Sequence, residues 1–250
     1  MTAALQLVRN IVVLSWTILQ SLVDYRRRLG RSAGPLTRTE RADWMHVWCG
    51  KAMQRLRIEG RVYGPLPRGG LIVSNHLSYL DIFAFGSAMP CVFVSKAEVR
   101  NWPIFGTLTT IAGTVYIDRK RRSDTRNAND GIRAALQQNL SVLVFPEGTS
   151  SDGINVLPFY PSLFEPAVES EAPITAAHIS YELSGGEVGR DIAYWGDMTF
   201  FPHLLRLLSR RNVSATVTFA TVPRRFSNRK TAATEMRDEV LGLRHALIAS

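Results

Sequence analysis

The chain has 250 residues, of which 46% are hydrophobic and 20% are charged, a balance that excludes an intrinsically disordered protein. Its net charge of +9 favours a polyanionic partner, either a nucleic acid or an anionic membrane, without choosing between them. The two cysteines, Cys49 and Cys91, lie in different segments without a metal-binding spacing, so neither a disulfide framework nor a zinc site is predicted.

The N-terminal segment is predicted to be an apolar helix. Residues 3–23 carry a single charge, Arg9, and the uninterrupted part, 11–23, is shorter than the roughly 20 residues that cross a bilayer. Basic residues after an apolar helix are typical of the cytoplasmic face of a membrane. A helix buried in the protein core is the alternative. The basic residues that follow are Arg26, Arg27, Arg28 and Arg31.

A second helix is predicted to begin after Thr37, which has capping-box spacing to Glu40. Apolar residues then recur at helical intervals and include Trp44 and Trp48, which suit either a membrane interface or the protein core. We therefore expect residues 1–57 to form a two-helix membrane-docking element and residues 58–250 to form a catalytic domain.

The rest of the chain alternates between predicted strands and helices, which indicates an α/β fold with a mixed, largely parallel sheet flanked by helices. The predicted strands are 57–62, 70–73, 92–95, 114–117, 141–145, 174–180, 191–195 and 213–219. One predicted helix begins near Tyr79, and four others cover 102–111, 123–138, 202–209 and 230–249.

Ligands of such sheets bind beyond the carboxyl ends of the strands. A histidine, carboxylates, cations and a glycine-containing turn are expected to converge there, a composition that suits deprotonation of a hydroxyl group beside an anionic substrate. The residues that follow the strands are Asn75, His76, Asp81, Lys96, Arg119, Glu147, Gly148 and Thr149.

His76 and Asp81 are a candidate base and the carboxylate that orients it. Histidine is the usual general base for an alcohol, and a carboxylate on one ring nitrogen stabilises the imidazolium. The five-residue separation brings the two together if His76 lies in a turn and Asp81 begins the next helix. A structural histidine and a carboxylate that stabilises a helix start are the alternatives.

The run from 144 to 153 is the second candidate segment. Gly148 permits a close backbone approach to a ligand, and the backbone N–H groups of such a turn can hold a negatively charged oxygen. Glu147 could bind a ligand or clamp a neighbouring loop. Arg119 ends the strand at 114–117 and suits phosphate, because its planar donors bind two oxygens at once.

Together these runs resemble the glycerolipid acyltransferase family typified by lysophosphatidic acid acyltransferase. The first family motif, Asn-His-x4-Asp, matches Asn75, His76 and Asp81. The second matches 113–119, the third matches 145–149, and a fourth is weakly matched at Pro173. The motifs occur in family order over residues 70–180.

The resemblance implies a membrane-associated enzyme that moves an acyl chain from acyl-CoA or acyl carrier protein to the hydroxyl of a lysolipid, without a cofactor or metal. It makes His76 the base and Asp81 its partner. It also implies that Arg119, Glu147, Gly148 and Thr149 hold the acceptor. Asn75 and Ser78 would shape the first loop, and Lys96 would add a positive charge.

Two positions depart from the family pattern. Ser150 stands where the third motif usually continues with arginine, and Tyr160 stands where a lysine often follows Pro-Phe. A phosphate taken out of water needs such cations. The family default, 1-acylglycerol-3-phosphate, therefore has a rival acceptor, a lyso-ornithine lipid, and the run after the third motif resembles that branch.

Other classes remain as alternatives. A hydrolase would use a serine or threonine with His76 and Asp81, but no Gly-x-Ser-x-Gly elbow occurs. A nucleic-acid-binding protein fits the charge but not the pattern, because the arginines flank an apolar helix, and no nucleic acid partner is expected. The spacing of His76, Asp81 and Glu147 does not favour a metal hydrolase. We expect a site on the cytoplasmic side of a membrane, the inner membrane in a bacterium.

Overall fold

The computed structural model describes residues 2–117 and 122–248, with side chains in the second range from 128 to 244. Its strands are β1 (Glu59–Tyr63), β2 (Gly70–Ser74), β3 (Val92–Lys96), β4 (Val115–Ile117), β5 (Ser141–Val144), β6 (Ile174–Leu183) and β7 (Val213–Phe219). Its helices are α1 (Ala3–Arg31), α2 (Arg38–Leu56), α3 (Leu80–Ala88), α4 (Phe105–Ile111), α5 (Arg122–Gln137), α6 (Glu165–Glu169), α7 (Val188–Asp191), α8 (Phe200–Ser209) and α9 (Arg229–Ile248).

The strands form one seven-stranded sheet with the order β1-β7-β6-β2-β5-β3-β4 in the described part of the chain. All neighbouring pairs are parallel except β6 and β7, which are antiparallel. The predicted mixed, largely parallel sheet with flanking helices is therefore confirmed.

Hydrophobic residues cover both faces of the sheet because successive side chains of a strand point to opposite sides. In β2, Ile72 packs in the cluster that includes α2 and α3, whereas Leu71 and Val73 pack in the cluster that includes α5 and α9. All three residues are fully buried. The central strands are thus buried on both faces, which leaves their ends as the place for a polar site.

Helix α2 begins with the predicted capping box, in which Thr37 Oγ1 accepts from the Glu40 N–H at 3.2 Å and Glu40 accepts from the Thr37 N–H at 2.7 Å. Trp44 and Trp48 face the protein core, with exposed fractions of 3% and 9%. The Trp48 indole N–H donates to Asp24 of α1 at 2.9 Å. Of the two orientations open from sequence, the structure therefore has the tryptophans pointing inward.

Helix α1 buries several polar side chains against the protein, where Leu7, Leu14 and Tyr25 are partly buried, and exposes a set of apolar side chains. Asn10 is buried and donates to the Leu208 carbonyl at 2.8 Å, and Arg9 donates to the Arg55 carbonyl at 2.9 Å. Its other buried residues are Gln6, Thr17 and Ser21. Of the described helices, α1 is the one long and apolar enough to cross a membrane by length and composition. Its exposed apolar residues include Leu5, Val8, Val12, Trp16 and Leu19.

The predicted strand at 191–195 is wrong. Helix α7 covers the start of this run, and the N–H groups of Ile192 and Ala193 continue its turn by donating to the Val188 carbonyl at 3.0 and 2.8 Å. The buried Asp191 carboxylate accepts from the Glu187 N–H at 3.0 Å and from Arg210 at 2.9 Å. A short apolar run does not distinguish a strand from a helical turn, and these contacts made the choice here.

Candidate active site

Three neighbouring strands bring the candidate residues to one edge of the sheet. β2, β5 and β3 are adjacent and parallel, so the loops after them open on the same side. A cleft of about 440 Å³ lies there. The candidate residues in its wall are His76, Lys96, Gly148 and Thr149.

His76 and Asp81 form a hydrogen-bonded pair, with 2.7 Å between His76 Nδ1 and Asp81 Oδ2. A carboxylate accepts hydrogen bonds only, so Nδ1 carries the proton and Nε2 is the ring nitrogen left for the cleft. The imidazole is 21% exposed and stacks on Phe145, with ring centroids 4.1 Å apart. The pair therefore has the geometry of a general base with an orienting carboxylate.

The Asp81 carboxylate is completely buried and is held by its own loop. Oδ2 also accepts from the backbone N–H groups of Leu77 and Ser78 at 2.7 and 3.0 Å. Asp81 is the second residue of α3, where the partial positive charge of the helix start favours a carboxylate. The two roles considered from sequence for Asp81 are therefore compatible, because the carboxylate that holds the loop before α3 also contacts the His76 imidazole.

Glu147 holds two loops together and uses both carboxylate oxygens for this. Oε1 accepts from the His76 backbone N–H at 2.7 Å, and Oε2 accepts from the Leu157 N–H at 2.8 Å. Burial raises the pKa of Glu147 to about 7, against the opposing effect of these hydrogen bonds. Of the two roles weighed from sequence for Glu147, this geometry corresponds to the loop clamp.

Asn75 and Ser78 are buried and face the protein rather than the cleft. The Asn75 side chain pairs with the backbone of Ile179 in β6, donating to its carbonyl at 2.9 Å and accepting from its N–H at 2.8 Å. The Ser78 hydroxyl accepts from the Leu80 N–H at 3.3 Å, at the start of α3. Both residues are placed to shape the loop that carries His76.

The turn after β5 has its backbone at the cleft. Gly148 has a φ of 69° and closes the turn with a 3.1 Å hydrogen bond from its N–H to the Phe145 carbonyl. Ser150, which stands in place of the family arginine, lines the cleft and donates to the Tyr194 carbonyl. Tyr160, in place of the family lysine, is half exposed.

Lys96 ends β3 and carries the only permanent positive charge among the described residues that line the cleft. Arg119, predicted to bind the acceptor, lies outside the described residues. Among the described residues, no group of three or more His, Cys, Asp or Glu side chains is arranged to hold a metal ion.

A second, apolar cavity of about 100 Å³ lies between helices α1 and α2 on one side and helices α3 and α4 on the other. Tyr79, Ile82 and Trp102 line both this cavity and the cleft, so the two spaces share a wall. The apolar cavity is also lined by Leu14 and Ile18 of α1 and by Trp48 of α2. The apolar cavity and the cleft that contains His76 are therefore neighbours.

Sequence reasoning missed Tyr181, whose hydroxyl donates to Asp81 Oδ1 at 2.7 Å from a position 100 residues later in the chain. The alternating pattern of β6 could have indicated only that Tyr181 shares a face with Ile179. Phe145, which stacks on His76, was noticed only as part of a motif. Contacts of this kind depend on which strands become neighbours, and the local sequence of either segment does not determine that.

Comparisons with a family model and with curated proteins point to the same class of enzyme. A family model described as Acyltransferase matches residues 55–180. The chain is 34% identical over 163 residues to a 1-acyl-sn-glycerol-3-phosphate acyltransferase of Neisseria gonorrhoeae, an alignment that covers 65% of this chain and 64% of that protein, less than two thirds of its length. It is 35% identical over 192 residues to a lyso-ornithine lipid O-acyltransferase of Pseudomonas aeruginosa, covering 76% and 72% of the two chains.

The fold is also similar to that of a solved structure. The crystal structure of a 1-acyl-sn-glycerophosphate acyltransferase from Thermotoga maritima superposes with a TM-score of 0.69 at 18% sequence identity. The superposition covers 97% of this chain and 95% of that one. At this identity the likeness describes the fold, and it extends over both the N-terminal helices and the sheet.

Proposed function

Since the chain belongs to the acyltransferase family, we propose that it transfers a fatty acyl chain from an acyl thioester to the hydroxyl group of a lysolipid. The observation that carries this proposal is the His76–Asp81 pair, joined at 2.7 Å in the wall of a cleft that adjoins an apolar cavity. The cleft suits a polar headgroup and a thioester, and the cavity, at about 100 Å³, suits a short apolar segment of an acyl chain.

In this mechanism His76 Nε2 takes the proton of the acceptor hydroxyl as its oxygen attacks the thioester carbonyl. The carbonyl oxygen gains negative charge, and the backbone N–H of Thr149, in the turn that lines the cleft, is our candidate to stabilise it, because the Gly148 N–H already donates to the Phe145 carbonyl. Asp81 stabilises the imidazolium that forms. When the carbon–sulfur bond breaks, the thiolate takes the proton from His76, so the ester, the thiol and the neutral base are restored.

The acceptor that we propose is 1-acylglycerol-3-phosphate, and the product is then phosphatidic acid. Lys96 lies in the cleft wall, and Arg119 follows a strand that ends at the same side of the sheet. Two cations are enough to hold a phosphate by charge-assisted hydrogen bonds. The donor is acyl-CoA or acyl carrier protein, either of which presents the same thioester.

A lyso-ornithine lipid is the second candidate acceptor. It is supported by relatives of that name. It is also supported by Ser150, which stands where the family has an arginine and whose hydroxyl donates to the Tyr194 carbonyl. A headgroup that carries its own amine needs less positive charge from the protein.

The test is acyl transfer by the purified, detergent-solubilised chain. It receives labelled acyl-CoA or acyl carrier protein, with each lysolipid in parallel and with the His76→Ala variant as control. Product from 1-acylglycerol-3-phosphate supports the first acceptor, and product only from the lyso-ornithine lipid supports the second. Free fatty acid released without any acceptor would instead identify a hydrolase, and turnover unchanged in His76→Ala would refute the mechanism.

The exposed apolar face of α1 supports membrane association. Leu5, Val8, Val12, Trp16 and Leu19 form one stripe along the helix, while the opposite face buries polar groups against the protein. A helix with one protein-facing polar side lies in the bilayer surface more easily than it crosses the bilayer alone.

Helix α8 packs beside α1 and also exposes apolar side chains, Phe201 and Leu205, which are 60% and 45% exposed. Arg26, Arg27 and Arg31 follow the stripe at the end of α1 and would contact anionic headgroups on the cytoplasmic side. We therefore propose that 1–57 dock the catalytic domain of residues 58–250 on the cytoplasmic leaflet without crossing it.

Flotation with anionic vesicles tests the docking face. Trp16→Glu puts a charge into the stripe and should reduce the vesicle-bound fraction, because a buried carboxylate loses its hydration. Val222→Glu is the matched control, since Val222 is 66% exposed and lies outside the stripe. Equal flotation of the two variants would contradict the proposed face.

A further inference from the structure

The Asp81 carboxylate uses its two oxygens differently. Oδ2 faces the loop and accepts from His76, Leu77 and Ser78, whereas Oδ1 accepts from the Tyr181 hydroxyl at 2.7 Å. Tyr181 is buried in β6. The contact joins a residue of the central sheet to the residue that orients the base.

Tyr181 is held where this contact requires it. Two residues earlier on the same face of β6, the Ile179 backbone exchanges two hydrogen bonds with the Asn75 side chain at 2.9 and 2.8 Å. β6 is also paired with β2 through residues 174–177 and with β7 through residues 177–183, which include Tyr181. The loop that bears His76 is therefore tied to β6 at Asn75 and at Asp81, and the hydroxyl has little freedom to leave.

We propose that Tyr181 is a positioning residue that tunes the basicity of His76 through Asp81. A hydrogen bond to Oδ1 draws negative charge away from Oδ2 and so weakens its hold on the imidazolium. His76 then gives up its proton more readily, which helps the step in which the thiolate leaves. This inference rests on the proposed transfer reaction.

The surroundings keep the Tyr181 hydroxyl protonated. Burial, with the neighbouring Asp81 carboxylate, raises the pKa of Tyr181 well above its ordinary value. The other titratable groups near the pair are Glu147, which clamps the His76 backbone, Tyr79, which faces Tyr181, and His203, whose Nδ1 lies 2.9 Å from the Tyr79 hydroxyl. Glu147 acts on a backbone N–H, so Tyr181 is the side-chain donor to Asp81 among the described residues apart from His76.

The test is the pH profile of Tyr181→Phe, in the full-length chain in detergent micelles. Removal of the hydroxyl concentrates charge on Oδ2 and should move the acid limb of kcat/KM to higher pH by about 0.5 to 1 unit. Below the limb this is a loss of about threefold to tenfold in kcat/KM. Tyr63→Phe, a half-exposed tyrosine of edge strand β1, is the control and should keep the wild-type profile.

A stronger donor should have the opposite effect. 3-Fluorotyrosine at position 181 has a more acidic hydroxyl, so the limb should move to lower pH. A limb that stays in place in both variants, even with a uniform loss of rate, would overturn the inference.

The titration of ¹⁵N-labelled histidine by NMR, assigned with His76→Gln, gives the same answer without turnover. If the wild type transfers no acyl group, the proposed function fails, yet the NMR midpoint in Tyr181→Phe still decides the coupling. An upward shift supports the coupling, and an unchanged midpoint refutes it.

Discussion

Replacement of Asp81 by asparagine separates the charge of the carboxylate from its role in the fold. In the native site Oδ2 accepts from His76, Leu77 and Ser78, and Oδ1 accepts from Tyr181. The amide oxygen of asparagine can take the position of Oδ2, and its NH₂ group can donate to the Tyr181 oxygen once that hydroxyl turns. The loop and the imidazole tautomer are then kept, and the negative charge is the main loss.

The expected loss of rate follows from that charge. Unit charges about 4 Å apart attract by about 4 kcal/mol at an effective dielectric constant of about 20. The partly exposed imidazolium lets water screen some of this attraction. At about 1.4 kcal/mol for each factor of ten, we expect kcat of Asp81→Asn to fall by about 100-fold to 1000-fold. The acid limb should move to lower pH, opposite to the shift expected for Tyr181→Phe.

The assay is kcat against pH for labelled acyl transfer, together with the thermal midpoint of each protein. Asp238→Asn makes the same chemical change at a side chain that is 66% exposed on α9, and we expect it to match the wild type. If Asp81→Asn folded normally and kept more than about a tenth of the wild-type kcat, the charge of Asp81 would not stabilise the imidazolium as argued.

Three further outcomes are expected. Because burial raises the pKa of Glu147 from 4.5 to about 7, the folded state binds its proton more tightly, and the wild type should lose up to about 3 kcal/mol relative to Glu147→Gln as pH rises through that window. Thermal midpoints from pH 4 to 8 test this, and a constant difference would contradict it. Gly148→Ala should lower stability by about 1–2 kcal/mol, because its φ of 69° is unfavourable for alanine, and denaturant unfolding measures this. Burial raises the pKa of Cys49 to about 12 and that of Cys91 further, so iodoacetamide at pH 8 should label both only after unfolding, as read by mass spectrometry.

Much of the fold and of the candidate site could be predicted because its signals are local. Short β-branched runs indicated β2, β3 and β5, and the parallel arrangement then put the loops after them at one edge. The capping box of α2 and the His76–Asp81 pair each join residues that are only a few positions apart in the chain. The run at 191–195 failed for the same reason, since its local pattern fits two structures and distant partners selected one.

The sequence by itself determined which residues can do the chemistry and the order in which they reach the sheet edge. It left open which way Trp44 and Trp48 face, whether Glu147 binds a ligand or clamps a loop, and what contacts the far oxygen of Asp81. Tertiary structure decided these because each depends on a partner distant in the chain. Glu147 meets a backbone N–H 71 residues away, and Asp81 meets a hydroxyl 100 residues away. Periodicity describes the faces of one element, whereas the meeting of two faces follows from the packing of the whole chain.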